Sequence, residues 1–217
     1  MTSSTPSADL WWASPSFWRK LAIWVTGGSF VMLIFLTFDT MSYIQAGGKK
    51  VPAYSVINQR VDYKFDDTLN RFQPVIGPEE PLFGKVLTEA EAEALVSKGK
   101  LTTQAKNCMS CHTLLGNGSY FAPDLTKAWL DPAWGSKELR ESAMVAFLID
   151  PSDKLHNSAG RRMPKLGITE EEARATVAFL KWMSAIDTNG FPHNFKAMDQ
   201  SDPAPAAPTE PAAPAQP

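Results

Sequence analysis

Cysteine is nearly absent from this chain. There are two in 217 residues, and both lie inside Cys108-Met109-Ser110-Cys111-His112. No third cysteine is left for a disulfide scaffold, and no second pair is present to complete a four-ligand structural zinc site. Basic residues are not in excess either. The formal net charge is −2 and the pI about 5.9, so the chain lacks the electrostatic footprint of a nucleic-acid-binding protein. Outside the cysteine stretch there is no Ser/His/Asp or Cys/His constellation, no metal-ligand cluster, no phosphate-binding glycine loop and no internal repeat.

Tryptophan, by contrast, is plentiful. Four of the seven (Trp11, Trp12, Trp18 and Trp24) fall in the first 24 residues. Indole rings favour the headgroup layer of a bilayer. Residues 1–20 are polar and aromatic and end in Arg19-Lys20; they read as a cytoplasmic or interfacial N-terminus. Residues 21–38, Leu21 to Phe38, carry no charge. As a helix they reach roughly 27 Å, close to the hydrocarbon thickness of a bilayer. A cleaved secretory signal is the competing reading, kept alive by the small residues Ala46-Gly47-Gly48. The long preceding region and the length of the apolar run favour an uncleaved anchor. Arg19 and Lys20 place the N-terminus in the cytoplasm and everything after Asp39 outside.

Residues 39–87 read as a connector. Tyr54 to Asp67 partly alternates and is rich in β-branched and aromatic residues, which suits a strand or hairpin. Pro74, Gly77, Pro78, Pro81 and Gly84 then break regular structure. The simpler expectation is an extended linker lying on a partner. Residues 88–194 read as a compact helical domain. Thr88-Glu89-Ala90-Glu91 is a capping box that opens a helix expected to stop near Lys98-Gly99. A second helix is expected from Ser136 to Asp150-Pro151, with Leu139, Ala143 and Phe147 on one face. Thr169-Glu170-Glu171-Glu172 is another capping box. It opens a helix with two apolar stripes, Ala175, Phe179, Trp182, Ile186 and Ala173, Val177, Leu180, so wide an arc that most sides must be buried. Residues 195–217 end in a Pro/Ala-rich stretch whose composition favours polyproline II or disorder. The fold class is therefore mainly α: a single N-terminal transmembrane helix plus a small helical domain.

The Cys-x-x-Cys-His pattern suits covalent attachment of haem c. Two thiols three positions apart reach the two vinyl groups of one porphyrin edge. The histidine after the second cysteine can then bring its imidazole over the iron. A thioredoxin-like dithiol would need a strand–helix α/β context that is missing here. The expectation is one covalent haem c on Cys108 and Cys111 with His112 as an axial ligand. Cells attach haem c on the outer face of the membrane, which agrees with the orientation above.

An electron-transfer haem takes a second axial ligand, most often Met or His. Met163, in Gly160-Arg161-Arg162-Met163-Pro164, fits best, because Pro164 disfavours helix at the preceding residue. His156 is the main competitor. His193 lies past the last helix, and Met144 and Met183 read as core packing. A neutral thioether ligand stabilises ferrous iron and raises the potential. Arg161 and Arg162 suit either haem propionates or a partner's acidic surface, and equally well solvated loop charges. Asp124 reads as a turn cap.

On these residues the chain resembles the small membrane-anchored cytochrome c subunit of cytochrome c-dependent nitric oxide reductase. The resemblance rests on Cys108 to Leu125 (CMSCHTLLGNGSYFAPDL), Gly160 to Pro164 (GRRMP) and Phe179 to Gly190 (FLKWMSAIDTNG). It covers residues 88–194 well and residues 20–40 loosely. It implies a bacterial inner-membrane, single-pass protein whose haem domain, a small helical class I-like cytochrome c domain, lies in the periplasm. It also implies electron transfer from a soluble cytochrome c or cupredoxin to a large multi-span haem b catalytic subunit, where two NO become N₂O. His112 and Met163 carry over as axial ligands. The family's interface calcium maps onto backbone carbonyls of Gly118 and Tyr120. Where that family continues Trp-Pro-Pro, this chain reads Phe191-Pro192-His193-Asn194. A haem c subunit of a cbb-type oxygen reductase and a free-standing membrane-anchored carrier are the other readings of the same plan.

Overall fold

The computed structural model describes residues 11–151 and 162–193. The Pro/Ala tail, His156 and Arg161 lie outside the described residues.

Helix α1 runs Pro15–Ile44. Ser14 caps it through its hydroxyl, which accepts from the Phe17 amide, and Pro15 occupies the first turn, where a missing N–H costs nothing. The helix is thus longer at both ends than the uncharged run Leu21 to Phe38. None of its side chains is buried against the rest of the chain, and by length and composition it can cross a membrane.

The segment after it departs from the expectation of an extended linker. Strand β1 (Gln59–Asp66) pairs antiparallel with β2 (Arg71–Glu79). Asp66 Oδ1 accepts from the Thr68 and Leu69 amides and so closes the turn. Val56, Ile57, Val61, Tyr63 and Leu82 are buried in the same core cluster as the helices that follow. The physical reason is alternation. Val61 and Tyr63 are buried while Arg60 and Asp62 are half-buried and Lys64 is exposed, so one side of the ribbon is apolar and must be covered.

Helix α2 spans Glu89–Ala105, α3 Lys137–Ile149 and α4 Glu170–Ser184. Both expected capping boxes are present: Thr88 with Glu91, and Thr169 with Glu172. Gly99 does not end α2. It lies buried in the helix where α4 crosses, and a Cβ there would run into the Ala175 carbonyl. Glycine is used here for closeness rather than for termination. On α3 the most buried positions are Arg140 and Met144, whereas Leu139 is 61 % exposed. The expected apolar face of that helix is therefore rotated away from the core by about a residue. Both apolar stripes of α4 are buried apart from half-buried Trp182, as the wide arc predicts.

Lys127 and Lys181 have no exposed surface at all. Lys127 Nζ donates to the carbonyls of Ser184 (3.0 Å) and Ile186 (2.8 Å), which close the end of α4. Lys181 Nζ donates to the Glu80 carbonyl at 2.9 Å and so ties the end of the hairpin to α4. Burial pushes both ammonium groups down to about 8.

Candidate haem site

The end of α2 delivers the cysteine stretch. Asn107 turns the chain in the left-handed region at φ 57°, and Cys108–Ser110 form one 3-10 turn. The His112 amide then bonds the Cys108 carbonyl at 3.0 Å, which puts Cys108, Cys111 and His112 on one side of a tight coil. The thiols are not joined to each other, and burial raises the Cys108 thiol above its ordinary range.

The chain next folds back over the turn. Thr113–Leu114 pairs with Asn117–Gly118. The Ser119 amide reaches the Met109 and His112 carbonyls at 3.1 and 3.2 Å. A Cβ on Gly118 would collide with the His112 carbonyl oxygen, so this fold-back needs glycine. Asp124 accepts from the Thr113 hydroxyl (2.6 Å) and the Thr126 amide (2.8 Å), which is the turn-capping role its sequence position predicts. That turn places the Pro123 carbonyl 2.7 Å from Nδ1 of His112. A carbonyl can only accept, so Nδ1 carries the proton and the lone pair of the neutral ring is left on Nε2.

Cys108, Cys111, His112 and Met163 line one cavity of about 310 Å³. Its wall is otherwise largely apolar, with Phe121, Pro123, Leu125, Trp134, Phe147 and Leu166 among the contributors. Trp134 is fixed by its indole N–H, which donates to the Ala128 carbonyl at 2.8 Å, and by edge-to-face contact with Phe147 at 5.4 Å. Met163 arrives from the irregular stretch before α4, far from the cysteines in sequence. Arg162 also borders the cavity and is exposed. Two thiols, an imidazole and a thioether around an apolar slot form a donor set suited to a flat, apolar macrocycle with a metal that accepts N and S ligands.

The other candidates fall elsewhere. Met144 and Met183 are core residues, 1 % and 3 % exposed. His193 is exposed and does not line the cavity. Gly118 and Tyr120 are exposed on the fold-back loop, Tyr120 at 81 %. Two contributors were not anticipated from the sequence, the Pro123 carbonyl and the Trp134 wall. Seven tryptophans are present, but nothing in a single sequence separates one that lines a cavity from one in the core.

The cytochrome c family model matches residues 96–184, which run from α2 through the cysteine turn to the last residue of α4. Such a domain binds haem c. The chain is 34% identical over 115 residues to the C subunit of nitric oxide reductase from Stutzerimonas stutzeri, covering 53% of this chain and 76% of that protein. It is 35% identical over 111 residues to the corresponding protein of Paracoccus denitrificans, covering 51% and 73%. The chain belongs to the family of nitric oxide reductase C subunits. Halomonas halodenitrificans supplies a further relative of the same name, 31% identical over 105 residues. Family membership agrees with the mainly helical fold and with the membrane-length helix at the N-terminal end.

Proposed function

We propose that this chain is a membrane-anchored electron relay carrying one haem c, held covalently by Cys108 and Cys111 with His112 and Met163 as axial ligands. The observation that carries the reading is the convergence of these four side chains on one apolar cavity, with Met163 more than fifty residues beyond the other three. The group supplies a one-electron iron couple.

The residues of the chain do the rest. The tight coil presents both sulfurs to one edge of the cavity. The Pro123 carbonyl holds the His112 ring in the orientation and tautomer that leave Nε2 free to ligate. With His112 and Met163 both available to hold the iron, the site would pass electrons and leave no position for a substrate. Phe121, Trp134 and Phe147 exclude water, which favours the less charged, reduced state of the site.

On this reading the chain contains no catalytic centre. Electrons come from a soluble periplasmic cytochrome c or cupredoxin and pass to a multi-span haem b subunit that reduces NO. The uncharged run within α1 spans the inner membrane, with the domain that follows in the periplasm. The names of the relatives support the assembly, and the length and exposure of α1 support the anchor. A calcium ion at the Gly118 and Tyr120 carbonyls would need further oxygen ligands from the partner subunit.

Purification of the full chain with its partners in mild detergent tests the proposal. The expected preparation contains one covalent haem c per chain, co-purifies a haem b subunit and consumes NO when given a reduced donor. Isolation as a lone monomer, or oxygen uptake without NO reduction, would overturn the assembly.

A further inference from the structure

The junction between α1 and the cofactor domain is pinned along its length. Nine residues, 45–53, join the helix to the first turn of the domain. As a flexible chain they would let the two ends wander by roughly 15–18 Å. They are not free to do so. The Lys49 amide reaches back to the Ser42 carbonyl at 3.1 Å, and Lys49 Nζ lies 4.4 Å from the centre of the Tyr43 ring. The chain has therefore not left the helix end by residue 49.

At Lys50 the domain takes hold. The Lys50 carbonyl accepts from the Asp187 amide at 3.0 Å. Its ammonium lies 2.5 Å from Asn189 Oδ1 and 3.6 Å from Asp187 Oδ2. Arg71, at the start of β2, joins from the other side: Nη1 donates to Asn189 Oδ1 at 3.1 Å and Nη2 lies 4.0 Å from Asp187 Oδ2. The receiving loop is itself shaped for this. Asp187 Oδ1 accepts from the Asn189 amide at 2.9 Å, and Asn189 and Gly190 both take positive φ. Two residues further along the junction, the Pro52 carbonyl accepts from the Trp182 indole at 3.1 Å, and Tyr54 stacks on Trp182 at 5.2 Å.

We propose that Lys50, Arg71, Asp187 and Asn189 are positioning residues that lock the cofactor domain in one stance on its membrane helix. The inference rests on the relay reading, because a fixed stance matters when an electron must cross a set gap to an acceptor in the membrane. The mechanical path is continuous: helix end, Lys50, the loop after α4, α4 itself, α2 packed against it, and Cys108 at the end of α2. Each half-exposed ion pair contributes little alone. Here two cations share one carboxylate and one amide oxygen, and the adjoining backbone bonds already order the segment, so little further entropy opposes the clasp. The domain then behaves as a rigid post and not as a swinging tether.

Nitroxide labels at Met41→Cys on α1 and Lys100→Cys on α2, in the full chain in lipid nanodiscs, test this without using the haem signal. The expected result is a single narrow distance. In an Asp187→Ala/Asn189→Ala variant the distribution should broaden at least about twofold, part of the way toward that of a flexible linker. The thermal unfolding midpoint of the domain should stay near that of the unsubstituted chain. Asp187→Glu should restore the narrow distance. If the loop variant fails to fold, Lys50→Gln/Arg71→Gln cuts the clasp from the other side. A broad distribution in the unsubstituted chain, or a narrow one in both clasp variants, overturns the proposal. Failure of the relay reading would appear separately, as a chain that carries no covalent haem or does not enter the nanodisc.

Discussion

Nδ1 of His112 lies 2.7 Å from the carbonyl oxygen of Pro123, eleven residues along the chain. The contact sets the tautomer of the ring, and it depends on the Asp124 turn that carries Pro123 into place. Asp124→Ala removes the acceptor for both Thr113 and Thr126. Without that turn the imidazole should loosen. The expected outcome is a lower affinity of His112 for iron, on the order of the 10–100-fold that supporting partners of metal-bound histidines contribute. Imidazole competition followed by visible spectroscopy measures it.

Met163→Ala removes the thioether that lines the cavity with His112. The midpoint potential should fall by on the order of 0.1 V, within the range of about 0.8 V over which axial ligands set haem potentials. Carbon monoxide should bind the reduced variant and not the unsubstituted protein. An unchanged potential and spectrum would remove Met163 from the site.

Cys108→Ala/Cys111→Ala removes both thioether sulfurs. Haem staining after denaturing electrophoresis should disappear. Haem held only through His112 in the native protein is lost on denaturation, so the denaturing step is what decides the outcome.

Gly99→Ala sets a methyl group against the Ala175 carbonyl, with no room between them. The opposing atom is backbone in a buried helix, so the helices must part. The substitution should cost about 1–3 kcal/mol or more in unfolding free energy. Gln104→Ala, on an exposed position of the same helix, should change stability little.

Lys127 carries a pH signature. Burial lowers its ammonium from an ordinary 10.5 to about 8. Below pH 8 both folded and unfolded chains hold the proton, and the cost of burying the charge is felt in full. Between pH 8 and 10.5 the unfolded chain binds more protons, so stability rises with pH. Lys181 shifts the same way for the same reason. Denaturant titrations at about pH 7.5 and about pH 10 should show the unsubstituted chain gaining on Lys127→Met as the pH rises. A difference that is flat or of opposite sign would contradict the shift.

What could be read from the sequence was local. The capping boxes at Thr88 and Thr169, the apolar length of α1 and the cysteine–histidine turn each depend on residues within a few positions of one another. That Met163 lines the same cavity as that turn could also be anticipated, because a proline after a methionine marks an irregular stretch before a helix. Gly99 was ambiguous, since glycine both ends helices and lets them touch, and only the presence of α4 decides between the two. The hairpin was harder. Its alternation was visible at Val61 and Tyr63, yet what packs on that strand includes the turn Ala128–Leu130 and the neighbouring Lys127, more than sixty residues away. The Pro123 carbonyl had no side-chain signature at all.

The burial of Val56, Ile57, Val61, Tyr63 and Leu82 has a practical corollary. A water-soluble fragment cut at Thr88, where the run of helices starts, would expose the underside of α2 and α4 and should aggregate or melt early. A fragment that begins just past the anchor, at Val51, keeps those five side chains in their sockets. The portable unit of this molecule is therefore set by where its ribbon docks and not by where its helices start.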